Sequence, residues 1–385
     1  MSGIYLDHHA TTPLDPRVYE AMKPWLTERF GNPHSENHAL GRGAAEAVET
    51  ARAAVASLIG AEAREIVFTS GATEANNLAI LGAARFLKDS KRRVVTVATE
   101  HKCVLESCLS LRDESFEVVV LGVRGDGLVD LAELERAVTP ETALVSVMAA
   151  NNEIGVLQPV RDIAALAHAK GALVHTDAAQ AVGKIPLDIA DVDLMSLSGH
   201  KIYGPMGIGA LYVRRRPRVR LKPIFHGGGQ ERGLRSGTLP VALCVGFGAA
   251  CAIARVEGAA EALRVAALRD RLQAKLLKAI LGVRVNAVDA PRLPGNLNLS
   301  VSGIDALQLI AAVPDVALST GSACTSADVE PSYVLKALGL DEPAARASLR
   351  FGVGRFNTEA DIDRAVALIA TAAARLRDTS RVAAG

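Results

Sequence analysis

Between Glu65 and Val213 the chain repeats one pattern: a short apolar run rich in β-branched residues, then a stretch with helical spacing. The runs are Glu65–Thr69, Val94–Ala98, Glu117–Leu121, Ala143–Met148, Leu173–His175, Leu194–Leu197 and Ile208–Val213. Runs of this kind are strands buried on both faces, and their alternation with helices predicts a mostly parallel α/β sheet covered on both sides. Ahead of them, residues 16–30 predict an amphipathic helix stopped by Gly31-Asn32-Pro33. An Ala-rich helix over 40–58 ends at Gly60. Beyond Val256 the pattern changes. Charged amphipathic helices over 259–280 and 360–377 flank strand-like pieces at 296–301 and 348–353, which predicts a second, smaller α/β domain. The expected division is 13–257 for the large domain, with 1–12 and 258–385 making the small one.

Composition narrows the function. The 385 residues are enough for a full core and two domains, and the formal net charge of +1 indicates neither a nucleic-acid footprint nor an acidic tail. The basic run Arg214-Arg215-Arg216-Pro217-Arg218-Val219-Arg220 lacks interleaved aromatics and reads as a solvated strand end. Five cysteines without CxxC spacing do not form a disulfide framework. Cys103, Cys108, Cys244 and Cys251 therefore read as structural thiols in a reducing, cytoplasmic setting. The N-terminus shows no signal or transit pattern. The apolar run 239–254 is too short and too glycine-rich for a membrane span, so a buried helix is expected there.

Chemistry-bearing residues gather where strands end, which is where open α/β sheets bind ligands. The first strand runs into Thr69-Ser70-Gly71-Ala72-Thr73-Glu74, a small-residue turn that opens a helix and offers N–H groups to a phosphate, or simply caps that helix. His101 follows the second strand, able to stack on a flat ring or move protons, or to sit as a loop imidazole. Asn151-Asn152-Glu153 is an unusually polar exit from the fourth. Asp177 ends the fifth, suited to a pyridinium nitrogen or to a helix cap. Ser198-Gly199-His200-Lys201 ends the sixth, putting an amine beside hydroxyl and imidazole donors. That is the local chemistry of a lysine bonded to pyridoxal phosphate, though alone it also suits a solvated turn. In the second domain, Cys324 lies in Ser319-Thr320-Gly321-Ser322-Ala323-Cys324-Thr325-Ser326, a run with no apolar face to bury a thiol, and reads as a nucleophile.

With these motifs in order, the chain resembles the cysteine desulfurases of the nitrogen-fixation and iron–sulfur-assembly type, within the class-V aminotransferases. The likeness runs nearly end to end, through Leu6-Asp7, Ala10-Thr11-Thr12-Pro13, Phe30-Gly31-Asn32-Pro33, Phe68–Glu74, Thr99–His101, Asn151–Gly155, Ser198–Lys201, Gly227–Gly233, Arg235–Thr238 and Gly321–Ser326. It implies the type I pyridoxal-phosphate transferase fold and a homodimer. By that resemblance Lys201 is the Schiff-base lysine, Asp177 pairs with the pyridine nitrogen, Gln180 meets the phenolic oxygen and His101 stacks on the ring. Ala72, Thr73, Ser198, Gly199 and His200 hold the phosphate, with Thr238 reaching over from the other subunit. Asn152 and Arg350 bind the substrate carboxylate, and Cys324 takes sulfur from L-cysteine as a persulfide. His101 or the substrate itself would accept the thiol's proton.

The sulfur would pass to an acceptor protein, with no nucleic acid or membrane involved. The sequence continues only briefly beyond Leu376, where many relatives carry an extension that docks an iron–sulfur scaffold, so that partner is left open. No ligand spacing indicates a metal; a cluster bridged transiently by Cys324 is the one such role the resemblance leaves. A selenocysteine lyase and a non-catalytic sulfur carrier are the competing readings.

Overall fold

The computed structural model describes residues 3–321 and 331–384. The chain enters through β1 (Ile4–Tyr5) and two helices, α1 (Pro16–Thr27) and α2 (Ala39–Ile59). Asp15 caps α1 by accepting the Arg17 N–H at 2.9 Å, and Pro16 supplies a preset φ at the first turn. Next come β2 (Ile66–Thr69), α3 (Ala72–Leu87), β3 (Arg93–Val97), α4 (Lys102–Ser110) and β4 (Glu117–Leu121). The remaining strands of this sheet are β5 (Thr142–Ser146), β6 (Leu173–Asp177), β7 (Leu194–Ser198) and β8 (Gly209–Val213).

All seven predicted strands lie in one sheet, in the order β2-β8-β7-β6-β5-β3-β4. Only β8 is reversed, antiparallel to both β2 and β7. Its connection to β7, residues 199–208, is too short for a crossover helix, so the strand has to turn back. The carboxyl ends of the other six strands therefore share one edge. Gly209, opening β8, is a requirement of this packing. A Cβ there would stand 2.5 Å from the Leu197 carbonyl oxygen and 2.7 Å from the Gly71 Cα, against the turn that starts α3.

The later part of the chain forms an antiparallel sheet from β9 (Val283–Val285), β10 (Asn296–Val301) and β12 (Ser348–Gly352), while β11 (Val316–Ala317) pairs in parallel with β1. One expectation is corrected. The apolar run 239–254 and the charged helix after it are a single helix, Val241–Ala279. No proline interrupts it, and its buried face changes partner along its length. Cys244, Phe247, Ala250 and Cys251 join the core of the large sheet, whereas Val265, Leu268, Leu272 and Leu276 pack with Leu297, Leu299, Phe351 and Ile369. Among the described residues this is the one helix long and apolar enough to cross a membrane, and its apolar half is embedded in protein.

A buried ion pair fastens the loop before that helix. Arg52 on α2 meets Glu231 through two bonds of 2.7 Å, and Glu231 Oε2 also accepts the Phe68 N–H at 2.7 Å. Both side chains are almost fully enclosed.

Candidate active site

The shared strand edge carries nearly every residue singled out from the sequence. At the end of β2, Gly71 has φ +151°, a conformation that side chains rarely adopt, and a Cβ there would meet nothing within 4 Å. Open space thus faces the start of α3, where Ala72 and Thr73 present N–H groups that lack intrahelical acceptors. Glu74 steadies this turn. Its Oε2 accepts the Ser70 N–H at 2.8 Å, and Arg235 donates to its Oε1 at 2.8 Å. The second bond also anchors the segment leading to Thr238, which is exposed.

His101 caps α4. Its Nδ1 accepts the Cys103 N–H at 3.2 Å and lies 3.0 Å from the Cys103 Sγ. With Nδ1 accepting, the neutral ring carries its proton on Nε2. Burial lowers its pKa, opposed by the charge of Asp177. The ring is therefore set as a donor at Nε2, not as the resting acceptor of a proton.

Asp177 closes β6. Its Oδ2 accepts from Asn76 Nδ2 at 2.7 Å and its Oδ1 from the Ala179 N–H at 2.9 Å, so it caps its own turn while facing the strand edge. Asn76 Nδ2 is also 3.2 Å from the Cys103 Sγ. Cys103, read from sequence as a structural thiol, thus belongs to the site. It remains a thiol, because burial pushes its pKa up to about 12.

Beyond β7, Ser198 and Gly199 are buried, and Gly199 donates to the Ile208 carbonyl at 3.0 Å. His200 Nδ1 lies 3.0 Å from Thr11 Oγ1, and burial with the nearby lysine charges lowers its pKa to about 4. Lys201 Nζ donates to the carbonyl oxygens of His9 at 2.6 Å and Ala10 at 2.7 Å. Gln180 is buried; its Nε2 donates to the same His9 carbonyl at 2.9 Å, and its Oε1 is 3.1 Å from His9 Nδ1.

Asn152 and Arg350 come together across the two sheets: Arg350 Nη1 donates to the Asn152 carbonyl at 3.1 Å. Arg350 is buried, and its Nη2 pairs with Asp7 Oδ1 at 2.8 Å. Arg350 Nε and Asn152 Oδ1 are buried without a partner. Cys324 lies outside the described residues. On either side of the segment that holds it, Gly321 packs against Glu153, and Ser332 Oγ donates to Glu153 Oε2 at 2.5 Å. Tyr333 follows, donating to the Glu100 carbonyl at 2.6 Å. Among the described residues no cluster of His, Cys, Asp or Glu could hold a metal.

Residues 4–365 match the aminotransferase class-V family. The chain belongs to that family. It is 54% identical over 379 residues to a human cysteine desulfurase, covering 98% of this chain and 83% of that protein. It is 53% identical to the cysteine desulfurase IscS of Rickettsia bellii, covering 98% and 92%. A solved NifS-like protein superimposes with a TM-score of 0.89 at 37% identity, over 96% of this chain and 98% of that one.

The family's cofactor is pyridoxal phosphate, and this chain depends on it. The donor set fits that molecule. An open, glycine-lined helix start and the Ser198 and His200 side chains suit the phosphate. A buried carboxylate suits the pyridine nitrogen, a neutral imidazole suits the ring face, and an amine lies on the same edge for the aldehyde. Asn76 and His9, which support these groups, carried no local signal that would single them out.

Proposed function

We infer that this chain is a pyridoxal-phosphate-dependent cysteine desulfurase, which converts L-cysteine to L-alanine and takes the sulfur onto its own thiol, Cys324. The observation that carries this reading is the convergence of Lys201, Asp177, His101 and Gln180 on one sheet edge, in a chain whose relatives are cysteine desulfurases.

Bound there, pyridoxal phosphate supplies an aldehyde for the substrate's amine and an electron-withdrawing ring that acidifies the Cα proton. Lys201 would hold the aldehyde and would serve as the base for the substrate's Cα proton. Asp177, held by Asn76, keeps a proton on the pyridine nitrogen. His101, with its proton on Nε2, would stack on the ring, and Gln180 would meet the phenolic oxygen. Ala72, Thr73, Ser198, Gly199 and His200 hold the phosphate. Asn152 Oδ1 and Arg350 Nε, the two buried atoms without partners, orient the substrate's amino-acid end, with the arginine taking the carboxylate.

The Cys324 thiolate attacks the substrate sulfur. An S–S bond forms, the substrate Cβ–S bond breaks with its electron pair left on carbon, and protonation there yields alanine. Because His101 already carries its proton on Nε2, the thiol proton goes to the substrate rather than to this ring.

A second copy of the chain completes the assembly in this reading. An apolar groove of about 710 Å³, lined by Trp25, Leu40, Ala47, Val245 and Ala249, supports a homodimer, and the exposed Thr238 is free to serve the partner's phosphate. The free thiols at Cys103, Cys108, Cys244 and Cys251 suit a reducing compartment, the cytoplasm, and an acceptor protein receives the sulfur. The test is Cys324→Ala. The variant keeps its cofactor and loses alanine formation from cysteine. Retained turnover on selenocysteine alone would favour a selenocysteine lyase, and retained turnover on cysteine would contradict the reading.

A further inference from the structure

Lys184 is a second amine linked to Lys201, and the reaction described above gives it no task. It lies in the turn that follows Gln180, half-buried, with its Nζ 3.5 Å from Gln180 Oε1. Gln180 Nε2 donates to the His9 carbonyl at 2.9 Å, and Lys201 Nζ donates to the same oxygen at 2.6 Å. The two amines are thus joined through one amide and one carbonyl. Lys184 has no ion-pair partner among the described residues. The carboxylate that acts on it, Glu261, is engaged by Arg355 at 2.7 Å.

The surroundings are enclosed and titratable. His8 and His9 from the N-terminal segment, Tyr203 from beyond β7 and Glu261 from the long helix line a small cavity with Lys184. Its volume of about 30 Å³ is room for roughly one water. His8 Nδ1 lies 2.9 Å from the Gly352 carbonyl and His9 Nδ1 3.1 Å from Gln180 Oε1, which leaves both Nε2 atoms as unpartnered acceptors. Burial keeps both rings neutral. Two cations other than Lys201 act on this cluster, Lys184 and Arg350, and of these Arg350 is paired with Asp7 at 2.8 Å. Burial pushes the Lys184 pKa down to about 7, the Lys201 charge pushes the same way, and Glu261 opposes both.

We propose that Lys184 is a positioning residue that acts through Gln180 and through its charge to make the Lys201 nitrogen give up its proton more readily. The inference rests on the reading of Lys201 as the cofactor's lysine. A cation held near an amine in a low-dielectric pocket disfavours a second positive charge there. It also occupies Gln180 Oε1, which leaves the amide's N–H groups for the His9 carbonyl and for the cofactor's phenolic oxygen. The effect belongs to the charged form of Lys184, so it fades as pH rises through about 7.

The test is a pH titration of the holoenzyme's visible absorbance in the wild type, Lys184→Met and Lys184→Arg. Lys184→Met should raise the midpoint by about 1 pH unit, since one uncompensated neighbouring charge shifts a pKa by that order. Lys184→Arg, charged at every pH, should bring it back to the wild-type value or below. An unmoved midpoint in Lys184→Met at full cofactor content, or a failure of Lys184→Arg to restore it, overturns the proposal.

Should Lys184→Met not retain the cofactor, the pH dependence of Lys201 acetylation in the cofactor-free chain, followed by mass spectrometry, gives the same comparison. Equal profiles there also overturn it. Failure of the underlying reading looks different, because Lys201→Ala would then keep the visible absorbance.

Discussion

Asn76 Nδ2 donates to Asp177 Oδ2 at 2.7 Å, tying the first turns of α3 to the end of β6. The two residues are 101 positions apart in sequence, yet the carboxylate's orientation depends on this bond. Losing a hydrogen bond to a charged group costs about 1.5–3 kcal/mol. Asn76→Leu should therefore weaken pyridoxal phosphate binding about 10- to 100-fold. Cofactor titration by fluorescence gives the dissociation constant directly, and an unchanged value would show that Asp177 needs no support from α3.

The Arg52–Glu231 pair makes a stability prediction. Each guanidinium contact is 2.7 Å and both side chains are enclosed, so removing Glu231 leaves Arg52 with only the exposed Glu49 at 3.0 Å and the Ile66 carbonyl at 3.0 Å. Glu231→Ala should destabilise the fold by about 3–5 kcal/mol. It also frees the Phe68 N–H at the edge of the large sheet. Urea unfolding at pH 7 measures the loss, and a change under about 1 kcal/mol would mean that Arg52 finds solvent or another acceptor.

His175 predicts how stability depends on pH. Its ring lies between Ser146 Oγ at 2.8 Å and Ser196 Oγ at 3.0 Å, stitching three adjacent strands. Burial lowers its pKa from 6.5 to about 3. The native ring stays neutral where the unfolded ring already takes a proton, so stability falls as pH drops from 6.5 toward 3. At pH 5 this one group costs about 2 kcal/mol. His175→Gln should flatten the fall in Tm between pH 7 and 5, and an unaltered slope would assign the acid sensitivity to other groups such as His8 and His200.

The large sheet was legible because its strands are short apolar runs, buried along their whole length in β2, β5, β7 and β8, while the edge strand β4 keeps exposed positions at Glu117 and Val120. The strand-end residues were legible for a related reason: the parallel topology brings Ala72, His101, Asp177 and Lys201 to one edge whatever their sequence separation. The helices read at 239–254 and 259–280 are one, because a helix that passes from one core to another changes its buried face without ending. The supporting residues were not legible. Cys103 has the look of a core thiol, Lys184 reaches the site only through Gln180, and His9 does so through Gln180 and through its carbonyl to Lys201. Such bonds join segments with no shared periodicity, so the chain shows no pattern to read.

The central question is which amine holds the cofactor, since Lys184 reaches Gln180 and Lys201 reaches the His9 carbonyl that Gln180 also holds. Borohydride reduction of the holoenzyme followed by peptide mapping answers this directly. The pyridoxyl mass should appear on the peptide that contains Lys201 and nowhere else. A label on Lys184, or reduced protein carrying no label, would contradict the assignment.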